Sequence, residues 1–69
     1  MTAKALLKQL EDERMEAFRL CNHYDKRATE ERNNGLSNWA AYYDRRFSEE
    51  MTKVENLRIA INIIRERVS

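Results

Sequence analysis

The sequence predicts an all-α fold: an antiparallel two-helix hairpin, two copies of which dimerise into a four-helix bundle. The chain of 69 residues has no proline and one glycine, too few turn-forming residues for a sheet with several tight turns. On both sides of that central glycine, apolar residues recur at alternating spacings of three and four, as along the seam between packed helices. The C-terminal part carries more apolar residues than one neighbouring helix can cover, which predicts a further neighbour.

The first helix is predicted over residues 3–32. One stripe of mostly small or apolar side chains runs along its length and would face the second helix. The stripe consists of Ala3, Leu7, Leu10, Arg14, Ala17, Cys21, Tyr24 and Ala28. Arg14 is its one charged member, and an ion pair with a carboxylate of the second helix, Glu50 or Glu55, is expected there.

A turn is predicted over residues 33–36, where the sequence reads NNGL. Asparagine and glycine tolerate the left-handed conformation that often ends a helix, so Gly35 is expected to end the first one. Ser37 or Asn38 would then cap the second helix. Because the connection is short, the helices would be antiparallel neighbours, with residue i near residue 69 − i.

The second helix is predicted over residues 37–67, and a single domain is expected to span residues 1–69. Its stripe repeats the spacing of the first one with larger side chains, so that small residues would face large ones across the seam. The stripe consists of Leu36, Ala40, Tyr43, Phe47, Glu50, Val54, Leu57, Ile61, Ile64 and Val68. Glu50 is its one charged member.

The end of the second helix is apolar on several faces at once. Ile61 lies in the stripe, whereas Ile59 and Ile63 would point away from the first helix. Exposing such side chains on so small a domain favours association, and a two-fold homodimer is the simplest form. The residues expected to form this oligomer interface are Leu57, Ile59, Ala60, Ile63 and Ile64. In the rival interpretations the same surface binds a different protein, or the assembly is larger than a dimer.

Composition and charge argue against several classes of function. Charged residues make up 36% of the chain, but the net charge is only +1 and the two signs are interleaved, unlike a protein that searches for nucleic acid or an anionic membrane. No apolar run approaches the roughly 20 residues needed to cross a bilayer. The single cysteine excludes an internal disulfide, and no secretory signal is recognisable. The expected location is the cytoplasm.

No catalytic, cofactor-binding or metal-binding residues are predicted. His23, the only histidine, has an arginine four residues away on either side, and arginines neither ligate a metal nor favour a second positive charge. Cys21 lies in the apolar stripe, and buried cysteines are typically inert. Carboxylates are plentiful, but raising a carboxyl pKa needs a dry pocket, for which a two-helix hairpin has no interior volume. The chain is therefore expected not to be an enzyme.

The start of the second helix carries residue types that are common in binding sites. The segment 38–46 reads NWAAYYDRR, and Trp, Tyr and Arg are enriched at the hot spots of protein interfaces. The predicted partner-binding residues are Trp39, Tyr42, Arg45 and Arg46. In the structural alternative, the aromatic residues fill the turn end of the hairpin and Arg46 pairs with Glu50.

Three functions follow as hypotheses. The predicted one is a small protein-interaction module, a dimeric adaptor, regulator or inhibitor of an unidentified partner protein. The second is a nucleic-acid-binding hairpin in which Arg45 and Arg46 contact phosphates beside the tyrosines, although Asp44 and Glu49 neutralise that neighbourhood. The third is a structural or assembly subunit of a larger complex, with the C-terminal isoleucines docked permanently.

Overall fold

The computed structural model describes residues 2–68, with side chains for residues 2–67. Within these residues it contains two helices, α1 at Ala3–Asn33 and α2 at Ser37–Val68, and no strand. The helices lie side by side in a rod of 51 × 15 × 14 Å. The predicted all-α hairpin is confirmed, and both helices end within one residue of the expected positions. The side chain of Val68, the last member of the predicted stripe, lies outside the described part.

A threonine caps the beginning of α1. Thr2 has an extended backbone (φ −76°, ψ 158°), and its hydroxyl oxygen accepts a hydrogen bond from the backbone N–H of Ala5 at 3.1 Å. The first N–H groups of a helix have no partner within the helix, and this bond satisfies one of them.

The turn between the helices is closed by a Schellman motif at Gly35. The N–H of Leu36 donates to the carbonyl of Glu31 at 2.8 Å, and the N–H of Gly35 donates to the carbonyl of Arg32 at 3.1 Å. Gly35 has a φ of +78°, and the left-handed conformation costs other residues roughly 1–2 kcal/mol. Gly35 therefore ends the first helix as predicted. Ser37 is already helical, so the prediction that Ser37 or Asn38 caps α2 is wrong. Leu36, whose side chain cannot accept a hydrogen bond, holds the capping position.

The core is a narrow seam between the two helices. Its buried side chains all come from the two predicted stripes, and they are Ala17, Cys21, Ala28, Ala40, Val54 and Ile61. Phe47 of α2 packs against the part of this core that contains Ala17 and Cys21 of α1. The Sγ atom of Cys21 lies 4.0 Å from the carbonyl oxygen of Phe47, which agrees with the predicted antiparallel register.

The ion pair expected for Arg14 is not formed among the described residues. The Nε atom of Arg14 is buried without a hydrogen-bond partner, and so is one carboxylate oxygen of Glu50. The Arg14 guanidinium instead lies over the ring of Phe18, with 5.0 Å between its carbon and the ring centroid. Glu55 forms its ion pair with Arg58 of its own helix, because a partner three residues away is nearer than one across the seam.

Candidate functional site

Three aromatic rings of α2 form a connected group near the turn. Trp39 and Tyr42 lie three residues apart and meet edge to face, with ring centroids 6.0 Å apart. The ring of Tyr43 lies 6.4 Å from that of Trp39 and 5.2 Å from that of Tyr42. Aromatic pairs attract at centroid separations of about 4.5–7 Å. Each of the three rings is therefore held in place by the other two.

Helix α1 adds two side chains to this group. The ring of Tyr24 stacks on that of Tyr43 at 6.2 Å, with 27° between the ring planes. The guanidinium of Arg27 lies over the ring of Tyr43, 5.4 Å from its centroid. The sequence pattern places Tyr24 in the seam and Arg27 in a helix ion pair with Glu31, and it does not predict that either contacts the rings of α2. The predicted antiparallel register could have indicated the contacts of Tyr24 and Arg27 with Tyr43, because it places residue 43 opposite residue 26.

The whole group is named the aromatic–arginine cluster and consists of Tyr24, Arg27, Trp39, Tyr42, Tyr43, Arg45 and Arg46. Trp39 is 55% exposed and Tyr42 is 40% exposed, whereas Tyr24 and Tyr43 are half-buried. The inner tyrosines thus hold the outer rings while the outer rings face solvent. A purely structural role at the turn end accounts for the inner rings but not for the exposed area of Trp39 and Tyr42.

Arg46 is engaged on two sides within the hairpin. Its guanidinium lies 5.4 Å over the ring of Tyr24 and donates a 3.3 Å hydrogen bond to the Tyr24 hydroxyl. It also forms a 2.8 Å ion pair with Glu49, so the expected pair with Glu50 is not seen among the described residues. The hydrogen bond to Tyr24, more than the charge of Glu49, raises the pKa of Arg46 above its usual value. Arg46 therefore helps to fix Tyr24.

Arg45 is the more available of the two arginines. Its guanidinium lies 5.6 Å from the ring centroid of Tyr42. Its side chain is 69% exposed, and its ion pair with Glu49 is long, at 4.0 Å. A cation that is exposed and weakly paired can still bind an external carboxylate or phosphate.

Carboxylates balance the charge of the cluster. Arg27 pairs with Glu30 at 3.1 Å and with Glu31 at 3.2 Å, and Glu49 pairs with both Arg45 and Arg46. Hydrogen bonding to Tyr43 is the largest of the effects that raise the pKa of Arg27. The surface therefore presents aromatic area and hydrogen-bond donors with little excess positive charge.

A shallow depression adjoins the cluster at the turn. It has a volume of about 260 Å³ and is lined by Arg27, Glu31, Leu36, Trp39 and Tyr43. Leu36 is 47% exposed, so the turn itself supplies an apolar wall. A side chain of a partner could enter between this wall and the indole of Trp39.

The residues predicted for the oligomer interface lie at the other end of α2. Ile59 and Ile63 are each 47% exposed, and the other three, Leu57, Ala60 and Ile64, are half-buried. Ile61 is only 4% exposed, as its position in the stripe predicts. The structure therefore separates one isoleucine that faces α1 from two that face solvent.

The reactive side chains do not assemble into a catalytic arrangement in the described part of the chain. Cys21 is 2% exposed, and its burial, followed by the charge of Glu50, raises the pKa of its thiol. His23 is exposed, and its ring lies 5.5 Å from that of Tyr24. Among the described residues, no group of three or more His, Cys, Asp or Glu side chains could hold a metal ion. No helix in the same residues is long and apolar enough to cross a membrane.

Comparisons of the chain with protein-family models, with curated proteins and with solved structures find no match.

Proposed function

We propose that the chain is a small non-enzymatic protein-interaction module, which acts as a homodimer and binds a partner protein through the aromatic–arginine cluster. One observation carries this proposal: Trp39 and Tyr42 are about half exposed although ring contacts hold both in place. Rigid aromatic side chains lose little conformational freedom on binding, which is why they dominate the energetics of many protein interfaces. A role as adaptor, regulator or inhibitor agrees with such a surface.

The charge of the cluster favours a protein partner over nucleic acid. Binding to a phosphate backbone needs several cations that are free to replace counterions. Arg27 and Arg46 each have carboxylate partners at 2.8–3.2 Å, which leaves Arg45 as the weakly paired cation. One such arginine beside two exposed rings suits a protein surface with an acidic residue near an apolar pocket.

The proposal that the chain is not an enzyme rests on Cys21 and His23, the residues that would have to serve as nucleophile and general base. The Cys21 thiol is buried with a raised pKa, whereas a catalytic thiol needs access and a lowered pKa. His23 is exposed, and no carboxylate among the described residues bonds to its ring and orients it, as the base of a nucleophile–base pair requires.

The dimeric part of the proposal rests on the solvent-facing isoleucines. Full burial of an isoleucine side chain contributes roughly 1.5–3 kcal/mol. Ile59 and Ile63 each leave about half of that unrealised within one chain. A second hairpin that covers this surface would recover it, with Leu57, Ala60 and Ile64 at the edge of the contact. Two hairpins joined in this way would form a four-helix bundle.

Affinity capture with quantitative binding tests the partner site. The tagged chain is used to capture proteins from a lysate of its source, and each captured protein is purified and titrated against the wild type and Trp39→Ala. Removal of a hot-spot aromatic should weaken binding at least thirtyfold, which corresponds to about 2 kcal/mol. Met51→Ala is the matched control, because Met51 is 40% exposed, as Tyr42 is, and lies outside the cluster. Equal loss in both variants would contradict the assignment, provided that circular dichroism shows both folded.

Two further measurements test the rest of the proposal. The chain can also be tested for a gel mobility shift with RNA or DNA. A shift that weakens steeply with salt and is lost in Arg45→Ala would indicate that the partner is nucleic acid and not protein. Light scattering at tens of micromolar should give twice the chain mass for the wild type and for Asn22→Lys, an exposed polar position on α1 away from the isoleucines. Ile63→Lys should give the mass of one chain. A monomeric wild type would refute the dimer and leave the partner site to be judged separately.

A further inference from the structure

A second surface feature lies along the open half of the hairpin and shares no residue with the aromatic–arginine cluster. It is a groove of about 310 Å³ between α1 and α2. The side chains that matter for its chemistry are Arg14, Met15, Phe18, Arg58, Ile61 and Arg65. They span about one helical turn on α1 and about two turns on α2, where the length is roughly 10 Å at 1.5 Å per residue.

The groove has an apolar floor with unusually exposed walls. Ile61 at the floor is 4% exposed, whereas Phe18 is 41% and Met15 is 70% exposed. Methionine adapts its shape to irregular partners and is common at surfaces that bind helices. An apolar segment laid into this groove would cover the ring of Phe18 and the side chain of Met15.

One cation of the groove, Arg14, forms no hydrogen bond or ion pair among the described residues. Arg14 is half-buried, and its Nε atom is buried without a hydrogen-bond partner. The other two arginines have acidic partners: Arg58 pairs with Glu55, and Arg65 pairs with Glu11. A half-buried guanidinium costs desolvation energy, which a carboxylate at the same place would offset.

We propose that this groove docks an acidic amphipathic helix of another protein. Leucine-like side chains of that helix cover Met15 and Phe18, and one carboxylate on the edge of its apolar face pairs with Arg14. Charge complementarity identifies the occupant, because the buried Nε of Arg14 forms no hydrogen bond, and Glu55, which attracts Arg14, is already paired with Arg58. A helix fits the shape, since a third helix laid along a hairpin packs in the groove between its two members.

Two synthetic peptides test the proposal directly. Both have the same leucine stripe at helical spacing, and one carries glutamates beside the stripe where the other carries lysines. Each peptide is titrated into the isotope-labelled full chain while its amide NMR signals are followed. The glutamate peptide should bind at least tenfold more tightly than the lysine peptide and should shift the signals of Met15 and Phe18.

Two arginine variants locate the charge that the peptide recognises. Arg14→Gln should weaken the glutamate peptide at least tenfold. Arg19→Gln is the matched control, because Arg19 is exposed and already pairs with Glu16; it should bind as the wild type does. Circular dichroism establishes that both variants are folded, and Arg14→Met provides a second neutral variant if Arg14→Gln is not.

Three results would overturn the proposal. The first is equal affinity for both peptides, and the second is unchanged binding by both neutral Arg14 variants. The third is a Met15→Glu variant whose mass by light scattering falls from dimer to monomer, which would make a second copy of the chain the occupant. Because Trp39→Ala leaves this groove intact, failure here and failure of the cluster as a partner site remain distinguishable.

Discussion

Ile61 and Ile63 offer the sharpest test of how the hairpin divides its apolar surface. They lie two residues apart on α2, yet Ile61 is 4% exposed and Ile63 is 47% exposed. Substitution by alanine removes the same atoms from both positions. At Ile61 the loss of burial and the cavity left in the seam should together lower the free energy of unfolding by about 3 kcal/mol. At Ile63, where half of the side chain already contacts water, the expected loss within one chain is about 1 kcal/mol.

Urea unfolding followed by far-ultraviolet circular dichroism at two protein concentrations measures both effects. At a concentration low enough for single chains, Ile61→Ala should be the more destabilised variant by about 2 kcal/mol. At a concentration where dimers form, the difference in stability between the wild type and Ile63→Ala should increase, because dimerisation stabilises the wild type by burying Ile63. The gap between the two variants should therefore narrow as the concentration rises.

Equal destabilisation by the two substitutions at low concentration would refute the assignment of Ile61 to the seam. A gap that stays constant with concentration would leave the seam intact but contradict the role of Ile63 in a dimer. The slope of the urea transition is the internal control, since it should be the same for all three proteins if the substitutions change stability alone.

Three further predictions follow from single positions. Gly35→Ala should lower the free energy of unfolding by about 1 kcal/mol, or the melting temperature by about 4–8 °C, whereas Asn34→Ala, at a φ of −86°, should change it much less. Arg14→Met should raise the free energy of unfolding by about 1 kcal/mol in urea titrations, because it removes a buried unpaired Nε; Arg19→Met should change it by under about 0.5 kcal/mol. Because burial raises the pKa of the Cys21 thiol, its contribution to stability is complete below the unfolded thiol pKa of about 8.5 and is lost as the pH rises through the folded pKa. Urea titrations at increasing pH should show this decline in the wild type and lack that component in Cys21→Ala.

The fold was predictable because each of its elements depends on local sequence. Alternating spacings of three and four determine which face of each helix is buried, and a single Asn-Gly site leaves one place for the chain to reverse. Backbone conformation at Gly35 follows from the absence of a side chain. The cap of the second helix was predicted wrongly, because serine and asparagine are the favoured capping side chains, whereas α2 already begins at Ser37 and Leu36 precedes it.

The candidate site was predictable in part. Exposure of Trp39 and Tyr42 follows from their place on the helix, but the contribution of α1 depends on which side chains meet across the seam. Arg46 could pair with Glu49 or Glu50 at nearly equal energy, and its contact with Tyr24 favours one geometry over the other. The partner of Arg14 was likewise not predictable from the sequence, because Glu55 forms its ion pair with Arg58 of its own helix.

The two helices are joined at the turn but not at the other end of the hairpin. The cluster near the turn and the isoleucine surface near the other end should therefore stay intact for different times when the helices begin to separate. Each layer of the seam touches only the layers before and after it, so the helices of a single hairpin should separate layer by layer, from the end opposite Gly35 towards the turn. Ile59 and Ile63 lie in the layers that part first, whereas the cluster around Trp39 lies beside the closed end at Gly35. A partner held at the turn would therefore stay bound to a chain whose far end has already come apart. At concentrations where the chain is a single hairpin, amide hydrogen exchange should be faster at Ile59 and Ile63 than around Tyr43.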